Sequence, residues 1–132
     1  MAALRSIAPF FIVRDAEAAA AFYRDRLGFA VTHVSPQPDP FFAIVTRDGA
    51  QIFLKAIGPD VAPLPNPQRH PWARWDAYVD APEPDALAAE FETRQVDFRE
   101  PLADTEDGLR GFAIVDADGY VIFFGRPQPQ QA

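Results

Sequence analysis

The sequence predicts an α+β fold made of two βαβββ modules, each with one helix packed on a mixed sheet. Three observations favour this class. The tetrapeptide Phe-Ala-Ile-Val occurs twice, in FAIVTRDGAQIF at 42–53 and FAIVDADGYVIF at 112–123. A helix-forming segment precedes each copy, and a short apolar segment precedes each helix. Two copies are too few for a solenoid, so we expect them to form a curved mixed sheet around a cleft.

The first module is expected over residues 5–58. Asp15 can accept hydrogen bonds from the first turn of a helix, and Gly28 can take the left-handed conformation that ends one. Asp-Gly is a favoured pair for a tight hairpin turn. These signals predict a strand within 8–15, a helix over 15–29, a strand over 30–35 and a hairpin around Asp48-Gly49.

The second module is expected over residues 72–126 and repeats this order. Phe91 follows Phe22 by 69 residues, and Phe98 follows Phe29 by the same interval. The pattern predicts a strand over 75–81, a helix over 82–95, a strand over 96–102 and the second hairpin.

Residues 59–71 hold five prolines and are expected to be a connector or a lid without regular structure. Residues 127–132 are expected to be a frayed tail. We expect residues 1–132 to form a single domain.

Composition excludes several classes of function. There is no cysteine, which excludes disulfides and thiol catalysis and fits the cytoplasm. No apolar run is long enough for a membrane span, and no signal peptide is evident. The net charge is -7, with six basic and six acidic residues in 1–66 but six and thirteen in 67–132. This excess disfavours nucleic acid and favours either a cationic ligand or simple solubility.

The sequence contains no GxGxxG motif, no P-loop and no G-x-S-x-G motif. The acidic group Asp104, Glu106 and Asp107 is typical of a solvated loop. His33 and His70 each stand alone in the sequence. Lys55, the only lysine, is interpreted as a functional amine, as an anion anchor or as an ordinary surface residue at a strand end.

Several segments resemble the vicinal oxygen chelate superfamily, which includes glyoxalase I, extradiol dioxygenases and bleomycin resistance proteins. FYRDRLGF ends the first helix and DADGYVIFFG ends the second module, in the order typical of that superfamily. LRSIAPFFIVRD and RGFAIVDADG are most similar to the bleomycin resistance proteins. The resemblance covers about residues 5–126.

The resemblance implies a small acidic homodimer that holds a small-molecule drug without chemical change and so confers antibiotic resistance. Pro9 matches the proline associated with exchange of the N-terminal strand between subunits. One departure concerns the stretch EDGLRGF, which lacks the tryptophan of the bleomycin binders and has Gly111 where glutamate is usual. We therefore expect a small-molecule ligand, which need not be bleomycin.

The superfamily's enzymes hold a divalent metal at four strand positions, which match Ala8, Phe53, Arg74 and Phe123. Alanine and phenylalanine have no lone pair, and arginine is permanently cationic. We therefore expect no metal, no cofactor and no catalytic residue.

Strand alternation predicts an aromatic cleft face. Phe42, Phe112 and Trp75 are expected to lie mainly in a core or a dimer interface. The expected ligand-binding residues are Phe41, Phe53, Trp72, Asp76, Tyr78, Phe123, Arg110 and Lys55. The leading hypothesis is a non-catalytic protein that sequesters an aromatic or cationic ligand. The alternatives are an atypical lyase, isomerase or dioxygenase of the superfamily, and a dimeric scaffold with a filled cleft.

Overall fold

A computed structural model describes residues 1–129, which form one compact unit up to Pro63 and a second from Leu64 onward. Both units have the predicted strand–helix–three-strand order, so the two βαβββ modules of the α+β prediction are confirmed. Residues 130–132 of the predicted tail lie outside the described residues. No helix within 1–129 is long and apolar enough to span a membrane.

The elements are β1 Phe10–Ile12, α1 Ala16–Leu27, β2 Ala30–Ser35, β3 Phe42–Arg47, β4 Ala50–Lys55, α2 Asn66–Arg69, β5 Ala77–Asp80, α3 Pro84–Thr93, β6 Asp97–Asp104, β7 Leu109–Val115 and β8 Val121–Pro127.

The first module forms a four-stranded sheet in the order β1-β4-β3-β2. β1 runs parallel to β4, and the other neighbours are antiparallel. The helix α1 has the predicted caps, because the backbone N–H of Ala18 donates to Asp15 Oδ1 at 3.0 Å and Gly28 has a φ of 72°. Both caps are confirmed, since they satisfy backbone groups that an uncapped helix leaves open.

The second module repeats this topology in the order β5-β8-β7-β6. Phe91 of α3 is fully buried, and its ring lies 5.8 Å from that of Phe112 and 5.3 Å from that of Phe124. These edge-to-face contacts are a favourable aromatic geometry. They define the helix-covered face of the second sheet.

The proline-rich connector contains a short helix, α2, which the sequence analysis did not predict. The backbone N–H of Asn66 donates to Asp76 Oδ1 at 2.7 Å, and the Asn66 side chain donates to the carbonyl of Trp75 at 3.3 Å. Proline density misled the prediction, because a proline in the first turn of a helix needs no donor.

The two Phe-Ala-Ile-Val hairpins differ in register by one residue. The first closes with a two-residue turn, since Arg47 lies opposite Ala50. The second leaves residues 116–120 between Val115 and Val121. Asp116 Oδ1 accepts the backbone N–H groups of Asp118 and Tyr120, each at 2.9 Å, and this supports the longer turn.

The register change reverses the faces of the repeated strand. Ala43 lies opposite Leu54, and both are fully buried, so Phe42 points to the face away from the helix. In the second module Phe112 lies opposite Phe124 on the helix face. Phe112 is confirmed in the core, whereas Phe42 is half-buried on the open face, so only its predicted place in a dimer interface stays a prediction.

Candidate functional site

The face of the first sheet away from α1 carries a cluster of rings, here called the first aromatic face: Phe10, Phe42, Phe53 and His33. The ring centroids of Phe42 and Phe53 are 5.7 Å apart, and that of Phe10 lies 6.4 Å from Phe42 and 6.5 Å from Phe53. The His33 ring lies 5.8 Å from Phe42, and His33 Nε2 lies 2.8 Å from Ser35 Oγ. Phe10 is 54% exposed, so this face offers ring surface to a ligand.

Lys55 lies at the edge of the first aromatic face. It pairs with Phe42 across the β3–β4 ladder, and its Nζ is 5.7 Å from the ring centroid of Phe41. The Phe41 ring is 47% exposed. Lys55 makes no ion pair with any residue in 1–129. Within residues 1–129, the Lys55 ammonium thus lies beside the Phe41 ring with no carboxylate paired to it.

The corresponding face of the second sheet, here called the second aromatic face, consists of Trp75, Tyr78 and Phe123. The Phe123 ring lies 4.3 Å from Trp75 and 5.7 Å from Tyr78, with interplanar angles of 29° and 14°. Phe123 is fully buried, whereas Tyr78 is 42% exposed. Burial raises the pKa of the Tyr78 hydroxyl, and the charge of Asp80 adds to this shift.

Two glycines make room for the Phe123 ring. A Cβ on Gly125 would lie 2.5 Å from Phe123 Cε1, and one on Gly111 would lie 2.7 Å from Phe123 Cζ. Gly111 pairs with Gly125 as Phe42 pairs with Lys55 in the first module. The Phe123 ring therefore fills the place that two side chains occupy on the first aromatic face. This contact also explains why a larger residue does not fit at Gly111.

The Trp75 indole is held in place by a hydrogen bond to Glu100 and by the Arg74 guanidinium over its ring. Its indole Nε1–H donates to Glu100 Oε2 at 3.1 Å, while Arg74 donates to Glu100 Oε1 at 2.7 Å and lies 4.6 Å from the indole centroid. The hydrogen bond to Glu100 raises the pKa of Arg74. Arg74 also lies 3.5 Å from Asp107, whose pKa is lowered first by a hydrogen bond from the Thr105 hydroxyl.

The structure brings some of the predicted ligand-binding residues together and separates others. Phe53, Phe41 and Lys55 belong to the first aromatic face or its edge, and Tyr78 and Phe123 form the second. Trp72 is 88% exposed, and its ring lies 5.6 Å from His70.

Asp76 has a structural task, because its two carboxylate oxygens accept the backbone N–H groups of Asn66 and Val121 at 2.7 and 2.8 Å. Arg110 shares the helix face of its strand with Phe112 and lies away from the second aromatic face. It pairs with Asp85 at 2.8 Å and Asp104 at 3.4 Å beside an open groove of about 810 Å³. These ion pairs raise the pKa of Arg110.

The ligand-binding prediction omitted Phe10, Phe42, His33 and Glu100. Strand alternation placed Phe10 on the open face, and that signal was sufficient to include it. Phe42 was missed because its face depends on the hairpin register. Nothing in the sequence linked Glu100 with Trp75, since the two residues are 25 positions apart.

The residues present do not fit a divalent metal. The four positions that match the superfamily's ligands hold alanine, arginine and two phenylalanines, and Arg74 is already paired with Glu100. No group of three or more His, Cys, Asp or Glu residues in 1–129 could hold a metal ion. We therefore derive no chemistry through a metal for this chain.

The chain consists of two βαβββ modules, each of which carries aromatic side chains on the sheet face away from its helix. The model of the Glyoxalase/Bleomycin resistance protein/Dioxygenase superfamily matches residues 6–124, so the chain belongs to that superfamily. The predicted resemblance is thereby confirmed. No curated protein sequence matches the chain.

Solved structures with this fold include proteins from Micromonospora and Streptomyces. TioX from Micromonospora sp. ML1 is 18% identical, with a TM-score of 0.72 over 92% of this chain and 98% of that chain. The bleomycin-binding protein of Streptomyces verticillus, complexed with copper(II)-bleomycin, is 22% identical, with a TM-score of 0.69 over 97% and 100%. TnmS3, an antibiotic binding protein from Streptomyces sp. CB03234, is 21% identical, with a TM-score of 0.67 over 93% and 97%.

Proposed function

We propose that this protein binds and sequesters a small aromatic or cationic molecule without changing it chemically. The observation that carries this proposal is the first aromatic face, where four rings cluster on the open side of a sheet and Phe10 remains 54% exposed. Aromatic faces attract both flat rings and cations. Two of the structural neighbours are described as binding an antibiotic, which supports the same role here.

Each aromatic face supplies its own proposed contacts within its module. Phe53, Phe41 and Phe10 supply ring surface in the first, and Tyr78 supplies it in the second. Trp72 is proposed as an additional stacking residue because nearly all of its side chain is exposed. Phe123 acts from beneath by supporting Tyr78 and Trp75.

A homodimer in the cytoplasm is part of the proposal. Residues 1–9 form no regular element, and three large apolar side chains there are exposed: Met1, Leu4 and Ile7. Exposed apolar side chains in a row favour a protein contact. The Pro9 carbonyl accepts the Phe53 N–H at 3.0 Å, so a segment exchanged near Pro9 would lead directly into the first aromatic face.

Sedimentation equilibrium tests the dimer. We expect a mass twice 14.6 kDa for the wild type and a shift towards 14.6 kDa for the double variant Leu4→Ser/Ile7→Ser. Ala2→Ser is the matched control, because it changes the same segment without removing a large apolar side chain. A wild-type species of 14.6 kDa at micromolar concentration would refute the dimer.

Thermal shift and mass spectrometry together test the binding role. A ligand that binds only the folded protein raises the melting temperature. We expect a rise with a planar aromatic such as anthraquinone-2-carboxamide or with bleomycin or phleomycin, and none with maltose at the same concentration, which has neither an aromatic ring nor a charge. The bound ligand should be recovered with unchanged mass. A changed mass would instead support the atypical enzyme, and no rise with any probe would support the scaffold.

A further inference from the structure

We infer that the first aromatic face takes a planar aromatic molecule bearing an acidic group, and that Lys55 binds the anion. This inference rests on the proposed function and narrows its ligand from an aromatic or cationic molecule to an aromatic acid. Three observations carry it: the position of Lys55, its lack of a counter-charge, and the residue at its equivalent position in the second module.

Lys55 is positioned to reach a substituent of a ring-stacked ligand. It ends β4 two residues after Phe53, so the two side chains leave the same face of the strand. Across the ladder it lies opposite Phe42, and its ammonium lies 5.7 Å from the Phe41 ring. A molecule stacked on Phe10 or Phe53 therefore has a single amine at the edge of its binding surface.

The charge of Lys55 is not neutralised within the described residues 1–129. Four arginines lie within ion-pair distance of carboxylates: Arg24 of Asp25 at 2.8 Å, Arg74 of Glu100 at 2.7 Å, Arg94 of Glu90 at 3.8 Å and Arg110 of Asp85 at 2.8 Å. Among residues 1–129, the Lys55 ammonium contacts the Phe41 ring and no carboxylate. The first 66 residues also carry six basic and six acidic groups, so this part of the chain has no acidic excess of its own.

The second module cannot offer the same chemistry. Gly125 occupies the ladder position of Lys55, and the Phe123 ring covers it. A cationic ligand on the first aromatic face would lie beside the ammonium and be repelled. An acid would gain a charge-assisted hydrogen bond there.

Calorimetric titration of the full chain with three matched probes tests the inference. The probes are anthraquinone-2-carboxylate, its uncharged carboxamide and the cationic 2-(aminomethyl)anthraquinone. We expect the wild type to bind the carboxylate about tenfold more tightly than the carboxamide, which corresponds to about 1.4 kcal/mol. The cation should bind most weakly of the three.

Substitution of Lys55 identifies the group responsible. Lys55→Met keeps an unbranched side chain of nearly the same length without its charge, and we expect it to remove the preference for the carboxylate while leaving the carboxamide affinity unchanged. Lys55→Arg should retain the preference. Arg99→Met is the matched control, because it removes one positive charge from an exposed residue of β6 and should retain the preference.

The outcomes separate the two proposals. Equal binding of carboxylate and carboxamide to the wild type, or a preference that survives in Lys55→Met, overturns the inference and leaves the binding function intact. Failure of every probe, together with no thermal shift for bleomycin, phleomycin or the carboxamide, overturns both. If Lys55→Met does not fold, two other measurements test the inference. The preference for the carboxylate should persist in Lys55→Arg, and in the wild type it should decrease as the salt concentration rises, because salt weakens an ion pair.

Discussion

Phe42 and Phe112 begin the same tetrapeptide, yet they lie on opposite faces of their sheets. Phe42 contacts the rings of Phe10 and Phe53 on the open face, whereas Phe112 packs against Phe91 of the helix. The repeated sequence therefore produces two different surfaces. The surface of the first sheet remains open beside the Lys55 ammonium, whereas that of the second sheet is filled by the Phe123 ring.

Gly125→Ala should destabilise the protein. The added Cβ would lie 2.5 Å from Phe123 Cε1 and 2.6 Å from the Arg110 carbonyl oxygen, so both the ring and the ladder must shift. We expect the free energy of unfolding in urea to fall by about 1–3 kcal/mol, as for other overpacked sites. Gly49→Ala is the control, because its Cβ would meet nothing within 4 Å. An equal loss in both variants would contradict the close contact.

Phe123→Ala should cost more stability than Phe53→Ala. Phe123 is fully buried between Trp75 and Tyr78, and truncating such a residue costs about 3–5 kcal/mol. Phe53 is half-buried on the open face, and we expect less than half that loss. Urea unfolding of the two variants measures the difference. Equal costs would show that the two faces are equally filled.

Asp76→Ala should release α2 and the start of β8. Both carboxylate oxygens accept backbone N–H groups, from Asn66 and Val121, and hydrogen bonds to charged groups contribute about 1.5–3 kcal/mol each. We expect faster hydrogen exchange at those two amides, with a smaller effect in Asp76→Asn, which keeps one acceptor. The exposed Asp80→Ala is the control. Unchanged exchange at both amides in Asp76→Ala would argue against this role.

The ion pair between Asp85 and Arg110 should make stability depend on pH on the acid side. The hydrogen bond from Arg110 lowers the pKa of Asp85 below the ordinary value of 3.8. A lowered pKa in the folded state stabilises the protein above pH 3.8, and this stabilisation is lost as the pH falls through the folded pKa.

Urea unfolding of wild type and Asp85→Asn at pH 7 and pH 3 measures this dependence. The variant should be less stable at pH 7, and the difference should shrink at pH 3. In an Arg110→Met background, Asp85→Asn should show little pH dependence. A difference that grows at acid pH would show the opposite sign of shift.

Local signals predicted the elements well because they act through neighbouring residues. Asp15 and Gly28 cap α1 from positions adjacent to it, and the alternation of Ile52, Phe53 and Leu54 requires only a strand. The site was harder to predict because its partners come from distant positions. Asp76 was expected to face a ligand, yet its oxygens bind backbone groups 10 and 45 residues away.

The turn at 116–120 has a consequence for how such a molecule can diversify. Shifting the point at which a hairpin closes exchanges every side chain of one strand between interior and exterior, while the strand's own sequence stays the same. A duplicated gene can thus give its two halves different surface chemistry through changes confined to a loop. An engineer who wants to open the filled half should therefore begin by rebuilding that loop, starting at Asp116, before altering any residue of the strand.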